Sequence, residues 1–338
     1  MRELTRPLHE RLKHHGSRGS NPSEFPTRIG RYALQGVLGH GAMGVVHRAL
    51  DTVLGRTVAI KTIREELVLQ EHIYTSYRRR FYNEASICGS LSHPNIVTLF
   101  DVGETEEGVP FLAMEYVPGA SLAATRERFS LDQIMWFLAQ LASAMDYAHG
   151  QDVIHRDIKP SNILIGEGQE VKITDFGVAK MLGSDFTRSQ TVFGTPGYMS
   201  PEQVLGTPLT CSTDLFSLAV VAFELLSGET PFPGKDVHSI LYKLVHADPV
   251  FPSGLAKMQL DTTKWREVFA VALAKDPQQR CSTASEFVSG LVELVPGWLD
   301  PAIPEDSSAS ASDVGPFPSG SDESRQETLT LWRSCSKG

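Results

Sequence analysis

Three glycines, Gly39, Gly41 and Gly44, sit in the stretch "LGHGAMGVV" (38–46), and no other feature narrows the fold of this chain as far. Glycine at this spacing marks backbone that passes close to a ligand or turns where a Cβ would clash. G-x-G-x-x-G alone fits the phosphate turn of a dinucleotide domain, a lid over a nucleoside triphosphate, or a tight hairpin. The flanks discriminate. "YALQGVL" before the glycines and "VVHRAL" after them are rich in β-branched residues bounded by turn signals, which predicts strands at 34–38 and 45–50. A dinucleotide fold needs a helix directly after the third glycine, so a strand there argues against it.

Further along, "TVAIKTI" reads as another strand. "YRRRFYNEASICGSLS" has helical patterning before "HPNIVTLFDVG" and "VPFLAMEYV" return to strand. Beyond Pro118-Gly119 the pattern changes. Ser130 and Gln133 carry a capping-box signature for a long helix, "LDQIMWFLAQLASAMDYAH", that stops at Gly150. Short strands are expected around 157–165 and 170–174, followed by helices to about Leu294. The expected fold class is α+β with two lobes: a small β-rich lobe over 29–117 and a larger α-rich lobe over 118–295. Residues 1–28 offer little to bury and are expected to form a flexible basic tail. Ser, Pro, Gly and acidic residues dominate 296–338, which predicts a disordered tail.

Bulk properties exclude several classes. A net charge of -9 and a pI near 5.7 argue against a general nucleic-acid binder, whose affinity comes from neutralising phosphates with Lys and Arg. The longest apolar run, "LFSLAVVAFELL" (215–226), has about half of the ~20 residues a bilayer-spanning helix needs, and reads as a buried core helix. No apolar signal core opens the chain. Cys88, Cys211, Cys281 and Cys335 form no C-x-x-C pair, so a reducing, cytoplasmic setting is expected.

The chemistry is carried by polar residues set among apolar ones. Lys61 lies in the strand "VAIK", 17 residues after Gly44. A buried ammonium is costly unless paired, and Glu84 on the following helix is its natural partner. The alternative is a surface strand whose lysine reaches outward. "VIHRDIKPSNIL" (153–164) and "VKITDFGVAK" (171–180) then supply Asp157, Lys159, Asn162 and Asp175. Two carboxylates and an amide beside a lysine suit a divalent cation with phosphate, because Mg2+ takes hard oxygen ligands and shares those of the nucleotide.

Together these motifs, in this order and spacing, resemble those of the eukaryotic-type protein kinases, from about Tyr32 to Leu294. The resemblance implies the two-lobed kinase fold, ATP as donor, and Mg2+ (or Mn2+ in its place) as metal. The glycine stretch then resembles the lid over ATP, with Leu38, Gly39, His40, Gly41, Ala42, Met43 and Gly44 covering the nucleotide. On the same basis Val46 and Ala59 pack on the adenine, Met114 stands at the back of its pocket, and the backbone of Glu115–Val117 bonds its edge. Lys61, paired with Glu84, would hold the α- and β-phosphates. Asp175 and Asn162 would hold metal, Asp157 would orient the acceptor hydroxyl and take its proton, and Lys159 would touch the γ-phosphate.

Lys159 in "DIKPSN" and Thr195 in "GTPGYMSPE" imply Ser/Thr rather than Tyr acceptors. Glu202 of "SPE" is expected to pair with Arg280, and Asp214 to anchor the catalytic loop. Arg156 is placed to clamp an anion on the segment between "DFG" and "SPE", where Thr187, Ser189 and Thr191 offer hydroxyls for activating phosphorylation. Cys88 stands where the family more often has Leu or Met, a place that a small hydrophobe can fill. "GxGAMGVVxRAxD" with "GTPxYMSPEQ" is most like bacterial Ser/Thr kinases, which implies a signalling role. The implied partners are protein substrates, without nucleic acid or a membrane span; a transient or small-lobe homodimer rests on the resemblance alone. Two other functions stay open: a scaffold with the fold but no transfer, and a kinase-fold enzyme for a small molecule. The complete set of Lys61, Glu84, Asp157, Asn162 and Asp175 speaks against the first, and the Thr195 segment against the second.

Overall fold

In the computed structural model, residues 28–41, 44–63, 81–82, 85–125, 129–176, 196–251, 262–295 and 297–298 are described. Ala42, Met43, Glu84, Thr187, Ser189, Thr191 and Thr195 lie outside the described residues, as do 1–27 and 299–338.

An antiparallel six-stranded sheet comes first: β1 (Arg28–Ile29), β2 (Tyr32–Gly41), β3 (Gly44–Asp51), β4 (Arg56–Ile63), β5 (Leu99–Glu104) and β6 (Pro110–Glu115). Its spatial order is β1-β2-β3-β4-β6-β5. β2 and β3 run further than the sequence predicts, and Gly41 pairs with Gly44, so the glycine motif closes a hairpin. The two-residue period of the strands sorts the faces. Val58 and Ile60 join Ala49, Phe111 and Ala113 in one apolar cluster. Ala59 and Lys61 alternate to the other face, opposite Met114 and Leu112.

Arg28 is a correction to the expected tail. It pairs with Ala33 in β1, and its guanidinium donates to Gly30 O (2.8 Å) and Thr52 Oγ1 (3.1 Å). The far boundary also moves outward, because Trp298 packs against the main core beyond the expected limit at 295.

Residues 85–89 are helical, as their patterning predicts. The second part holds a small sheet, β7 (Gly119–Ser121), β8 (Ile163–Gly166) and β9 (Val171–Ile173). Its helices are α1 (Leu131–His149), α2 (Pro201–Leu205), α3 (Cys211–Ser227), α4 (Val237–His246), α5 (Thr262–Ala272) and α6 (Ala284–Val292). α1 begins at the expected capping box: Gln133 N–H donates to Ser130 Oγ (3.2 Å), and Ser130 N–H to Gln133 Oε1 (2.8 Å). Ile134, Phe137, Leu138, Leu141 and Met145 recur at helical spacing and are buried. α3 is buried on nearly every side, as its apolar run predicts. Among the described residues, no helix is long and apolar enough to cross a membrane.

Two strands are shorter than expected, for identifiable reasons. The stretch 157–162 is not strand, because Pro160 opens a 3-10 turn over Pro160–Asn162 and lacks an N–H for a ladder. β5 starts only at Leu99, because Asn95 bonds elsewhere. Its Nδ2 donates to Gln140 Oε1 (2.8 Å) and Val171 O (2.8 Å), while Val171 N–H donates to the same Gln140 oxygen (3.0 Å). Ile173 N–H reaches Asn95 O (2.8 Å) and Val97 N–H reaches Ile173 O (2.9 Å). This buried polar knot ties α1 and β9 to the lead-in of β5, and fixes the chain two residues before Asp175.

Glu202 and Arg280 pair as expected. Arg280 Nη1 and Nη2 donate to Glu202 Oε1 and Oε2, each at 2.8 Å, and Thr213 Oγ1 adds a third bond at 3.0 Å. Burial pushes the Glu202 carboxyl up, but the Arg280 bonds hold it below its ordinary value. Arg280→Met strands that carboxylate, and is expected to cost roughly 3–5 kcal/mol in denaturant unfolding. A depressed carboxyl pKa means that the wild-type contribution is complete above the unfolded value and lost as pH falls through the folded one. The variant should lose that acid-side slope.

Candidate active site

Asp214, in the first turn of α3 and 1% exposed, organises the loop that precedes β8. Its Oδ2 accepts the His155 N–H and its Oδ1 the Arg156 N–H, both at 2.7 Å, and His149 Nε2 lies 2.9 Å from Oδ2. These bonds hold Arg156 at φ 72, a left-handed conformation that costs on the order of 1–3 kcal/mol for a residue other than glycine. His155 continues the chain of contacts. Its Nδ1 accepts the Asp157 N–H (3.1 Å), which leaves Nε2 to donate to Thr174 O (2.8 Å).

Asp157 follows directly. Lys159 Nζ lies 2.7 Å from its Oδ2, and Asn162 Nδ2 donates to the same oxygen (2.9 Å) and to Asp157 O (2.8 Å). Both side-chain bonds land on Oδ2. Among the described residues none lands on Oδ1, which leaves one carboxylate oxygen for an incoming proton. The Asn162 amine is committed twice, and its Oδ1, which accepts one long bond from Ser161 Oγ (3.5 Å), keeps a lone pair for a cation.

Asp175 approaches from β9 at φ 67 and reaches Lys61 across the cleft, Oδ1 to Nζ 2.7 Å. Lys61 is 5% exposed, so it is not the outward-reaching surface lysine. Desolvation pushes the Asp175 carboxyl up, but the Lys61 ammonium beside it holds it below the ordinary carboxylate value. Phe176 packs inward, edge-on to His155 with centroids 4.6 Å apart, and its carbonyl accepts a bond from Cys88 Sγ at 3.1 Å. Cys88 therefore fills the place read for a small hydrophobe and adds a polar contact. The expected Lys61–Glu84 pair involves a residue outside those described; among the described residues, the partner of Lys61 is Asp175.

The sheet supplies the roof. Val46 is paired with Lys61, and Ala59, two residues before Lys61, is paired with Met114, so all four share the cleft face. Leu38 and His40 are exposed on the β2 arm of the hairpin. Among the described residues, a Cβ added at Gly39 meets nothing within 4 Å, so no clash there requires glycine. At the strand end, Glu115 N–H donates to Thr98 O (2.8 Å), so Glu115 can offer a ligand at most its backbone carbonyl. Val117 lies two residues on, half-buried. The Glu115 side chain is held away by Lys172 Nζ at 3.0 Å. Sequence reasoning missed Lys172, Asn95 and Gln140. The signal for Gln140 was a lone amide within the apolar stripe of α1.

The donor set fits a hard divalent cation: one carboxylate and one amide oxygen, with the remaining positions left to phosphate and water. Asp157 offers a base-competent oxygen, and Lys61 and Lys159 offer two cations for phosphate.

A family model described as a protein kinase domain matches residues 32–295. The chain is 38% identical over 301 residues to a probable serine/threonine-protein kinase PknB of Bifidobacterium longum, covering 82% of this chain and 42% of that one. It is 37% identical over 279 residues to the serine/threonine-protein kinase PknB of Mycobacterium leprae, covering 79% and 43%. It thus spans less than half the length of either relative. The crystal structure of the Mycobacterium tuberculosis PknI kinase domain superimposes with a TM-score of 0.60 at 25% identity, over 79% of this chain and 98% of that one. The likeness supports a kinase fold in which an N-terminal β-sheet is followed by a helical region, the order that the sequence predicts.

Lys61→Met should leave desolvation to act on Asp175 without its counter-charge. The carboxyl then titrates at higher pH than in wild type, which carboxyl carbon NMR on the labelled protein would read; an unchanged titration would break the assignment of Lys61 as its controlling charge.

Proposed function

The chain belongs to the protein kinase domain family, and we propose that it is a protein serine/threonine kinase that transfers the γ-phosphate of ATP to protein hydroxyls. The observation that carries the reading is the asymmetry of Asp157, with Lys159 and Asn162 both on Oδ2 and Oδ1 left for a substrate. In that arrangement Asp157 orients an acceptor hydroxyl and takes its proton as the oxygen attacks. Lys159 stands beside it to meet the transferring phosphoryl group, and Lys61 steadies the phosphates that remain on the nucleotide. Asp175 and Asn162 would hold Mg2+, which supplies neutralisation of phosphate charge when bound. Positioning and charge account for most of such catalysis. The glycine hairpin, Leu38 to Gly44, covers the nucleotide, with Val46, Ala59 and Met114 against its base and the strand end at Glu115–Val117 along its edge. Ser/Thr acceptors are supported by Lys159 and by the relatives' own specificity.

Activation by phosphorylation of Thr187, Ser189 or Thr191 belongs to the same proposal. Arg156 supports it: its Nε is buried and has no hydrogen-bond partner among the described residues. A phosphate of charge about −2 is a fitting acceptor for such a donor. ATP as donor supports a cytoplasmic domain, and similarity to bacterial serine/threonine-protein kinases supports a role in bacterial signalling. Val53 and Leu54, 71% and 59% exposed at the β3–β4 turn, support a small-lobe contact between two copies.

Transfer of labelled γ-phosphate to the protein and to a generic basic protein tests the function. Asp157→Asn and Lys61→Met should each lower transfer by roughly 10²–10⁴-fold, with label on Ser and Thr alone. Wild type that binds ATP yet transfers nothing, with or without prior phosphorylation, would leave a scaffold instead. Mass mapping after incubation with Mg-ATP should place phosphate within 187–191; phosphate confined to the tails would sink the activation proposal.

A further inference from the structure

We infer that Gln203 is a positioning residue for Asp157, tying the segment that follows "GTPGYM" to the backbone of the catalytic loop. Gln203 stands at the third position of α2, and three of its hydrogen bonds involve a side chain. Its N–H donates to Ser200 Oγ (3.3 Å), its Oε1 accepts the Ser200 N–H (2.9 Å), and its Nε2 donates to Arg156 O (2.7 Å).

The first two bonds are the capping box of α2, a task that glutamate performs as well as glutamine. The third is not available to glutamate at neutral pH. Ser200 N–H can only donate and Arg156 C=O can only accept, so the bridging group must carry an acceptor and a donor together. Among residues suited to this cap, only the glutamine amide does. The partners also fix which end of the amide is nitrogen.

Arg156 is the residue most in need of such a tie. It sits immediately before Asp157 and holds φ 72. Asp214 secures its N–H at 2.7 Å and Gln203 secures its carbonyl at 2.7 Å, so the strained residue is clamped on both sides of its Cα. The two clamps come from different elements, α3 and α2. The peptide plane that carries Arg156 O also carries the Asp157 N–H, which is bonded to His155 Nδ1 at 3.1 Å. Gln203 therefore restrains the plane from which the Asp157 side chain is hung. Displacing that plane would move Asp157 Oδ1 relative to an acceptor hydroxyl while leaving Lys61, Asp175 and the adenine side of the cleft in place. The predicted signature is a loss in kcat with little change in KM for ATP.

This inference rests on the kinase reading, and Gln203→Glu separates the two. The variant keeps an acceptor for Ser200 N–H and removes the donor to Arg156 O. Steady-state phosphorylation of a generic basic protein is compared with wild type at matched phosphorylation state, checked by intact mass, with melting temperature followed alongside. Gln203→Glu should melt within a few degrees of wild type, keep KM for ATP within about twofold, and lose tenfold or more in kcat at pH 8. Its activity relative to wild type should recover as pH falls, because the introduced carboxyl regains a donor when protonated. A kcat within twofold of wild type at pH 8 overturns the inference, as does a fall that tracks a lowered melting temperature and ignores pH. Should the variant fail to fold, the same split between kcat and KM on Gln203→Met decides. A wild type that transfers no phosphate overturns the kinase reading and this inference together.

Discussion

The Asp214 carboxylate is the interaction on which the rest of the site depends. It is buried in the first turn of the most enclosed helix and accepts two backbone N–H groups at 2.7 Å. Charge-assisted bonds of that length are about twice as strong as neutral ones. They must be, because they hold Arg156 in a conformation that a free chain would leave. From that one residue the contacts run outward: His155 to Thr174 and Phe176, Asp157 to Lys159 and Asn162. A core helix thus sets the geometry of a loop, and the loop sets the chemistry. Rigid packing of "LFSLAVVAFELL" is what makes the anchor worth having, since a carboxylate on a mobile element would transmit nothing.

Two of the contacts between the sheet and the helical part are of opposite character. One is neutral: the Asn95–Gln140–Val171 knot, in which each buried polar atom finds a partner and no net charge is enclosed. The other is the Lys61–Asp175 pair at 2.7 Å. A buried ion pair gives weak net stability, because desolvation opposes attraction. Net stability therefore does not account for the presence of the pair in the cleft, where Lys61 is buried and its ammonium lies 2.7 Å from the Asp175 carboxylate. The neutral knot fixes where β9 ends, and the charged pair fixes where Asp175 points.

Much of this was legible in the sequence, and the reason is local. The two-residue period around Val58–Lys61 and the capping box at Ser130/Gln133 are written within a few residues, so the elements they specify could be read directly. The candidate catalytic set was legible through motif order, since Asp157, Lys159, Asn162 and Asp175 lie within nineteen positions of one another. What could not be read depends on pairs far apart in the chain. Asn95 meets Gln140 across 45 positions, Lys172 meets Glu115 across 57, and Gln203 meets Arg156 across 47. No periodicity records such partners. The strand ends missed at 157–162 and before Leu99 have the same origin, because Pro160 and Asn95 redirect the backbone through chemistry that strand propensity does not register. Arg28 was misplaced in the tail for a related reason: two residues are too few to show a period.

The glycines with which the sequence begins its argument separate into two physical kinds. At Gly119, φ is 155 and an added Cβ would lie 2.0 Å from Ile165 O, so the chain's own backbone excludes any other residue. At Gly39 no such exclusion exists: φ is not in the left-handed region, and a Cβ would meet nothing within 4 Å. Gly39 stands instead at a register irregularity of the β2–β3 pairing, between Val37 and Gly39, and a glycine within a strand is characteristic of such a bulge. The sheet face carrying Val46, Ala59, Lys61 and Met114 is apolar at one end and cationic at the other, which is the distribution a purine nucleotide triphosphate would match. The same glycine motif thus answers to different local geometry at different positions, and the hairpin that is ambiguous as a motif gains its context from the two neighbouring strands.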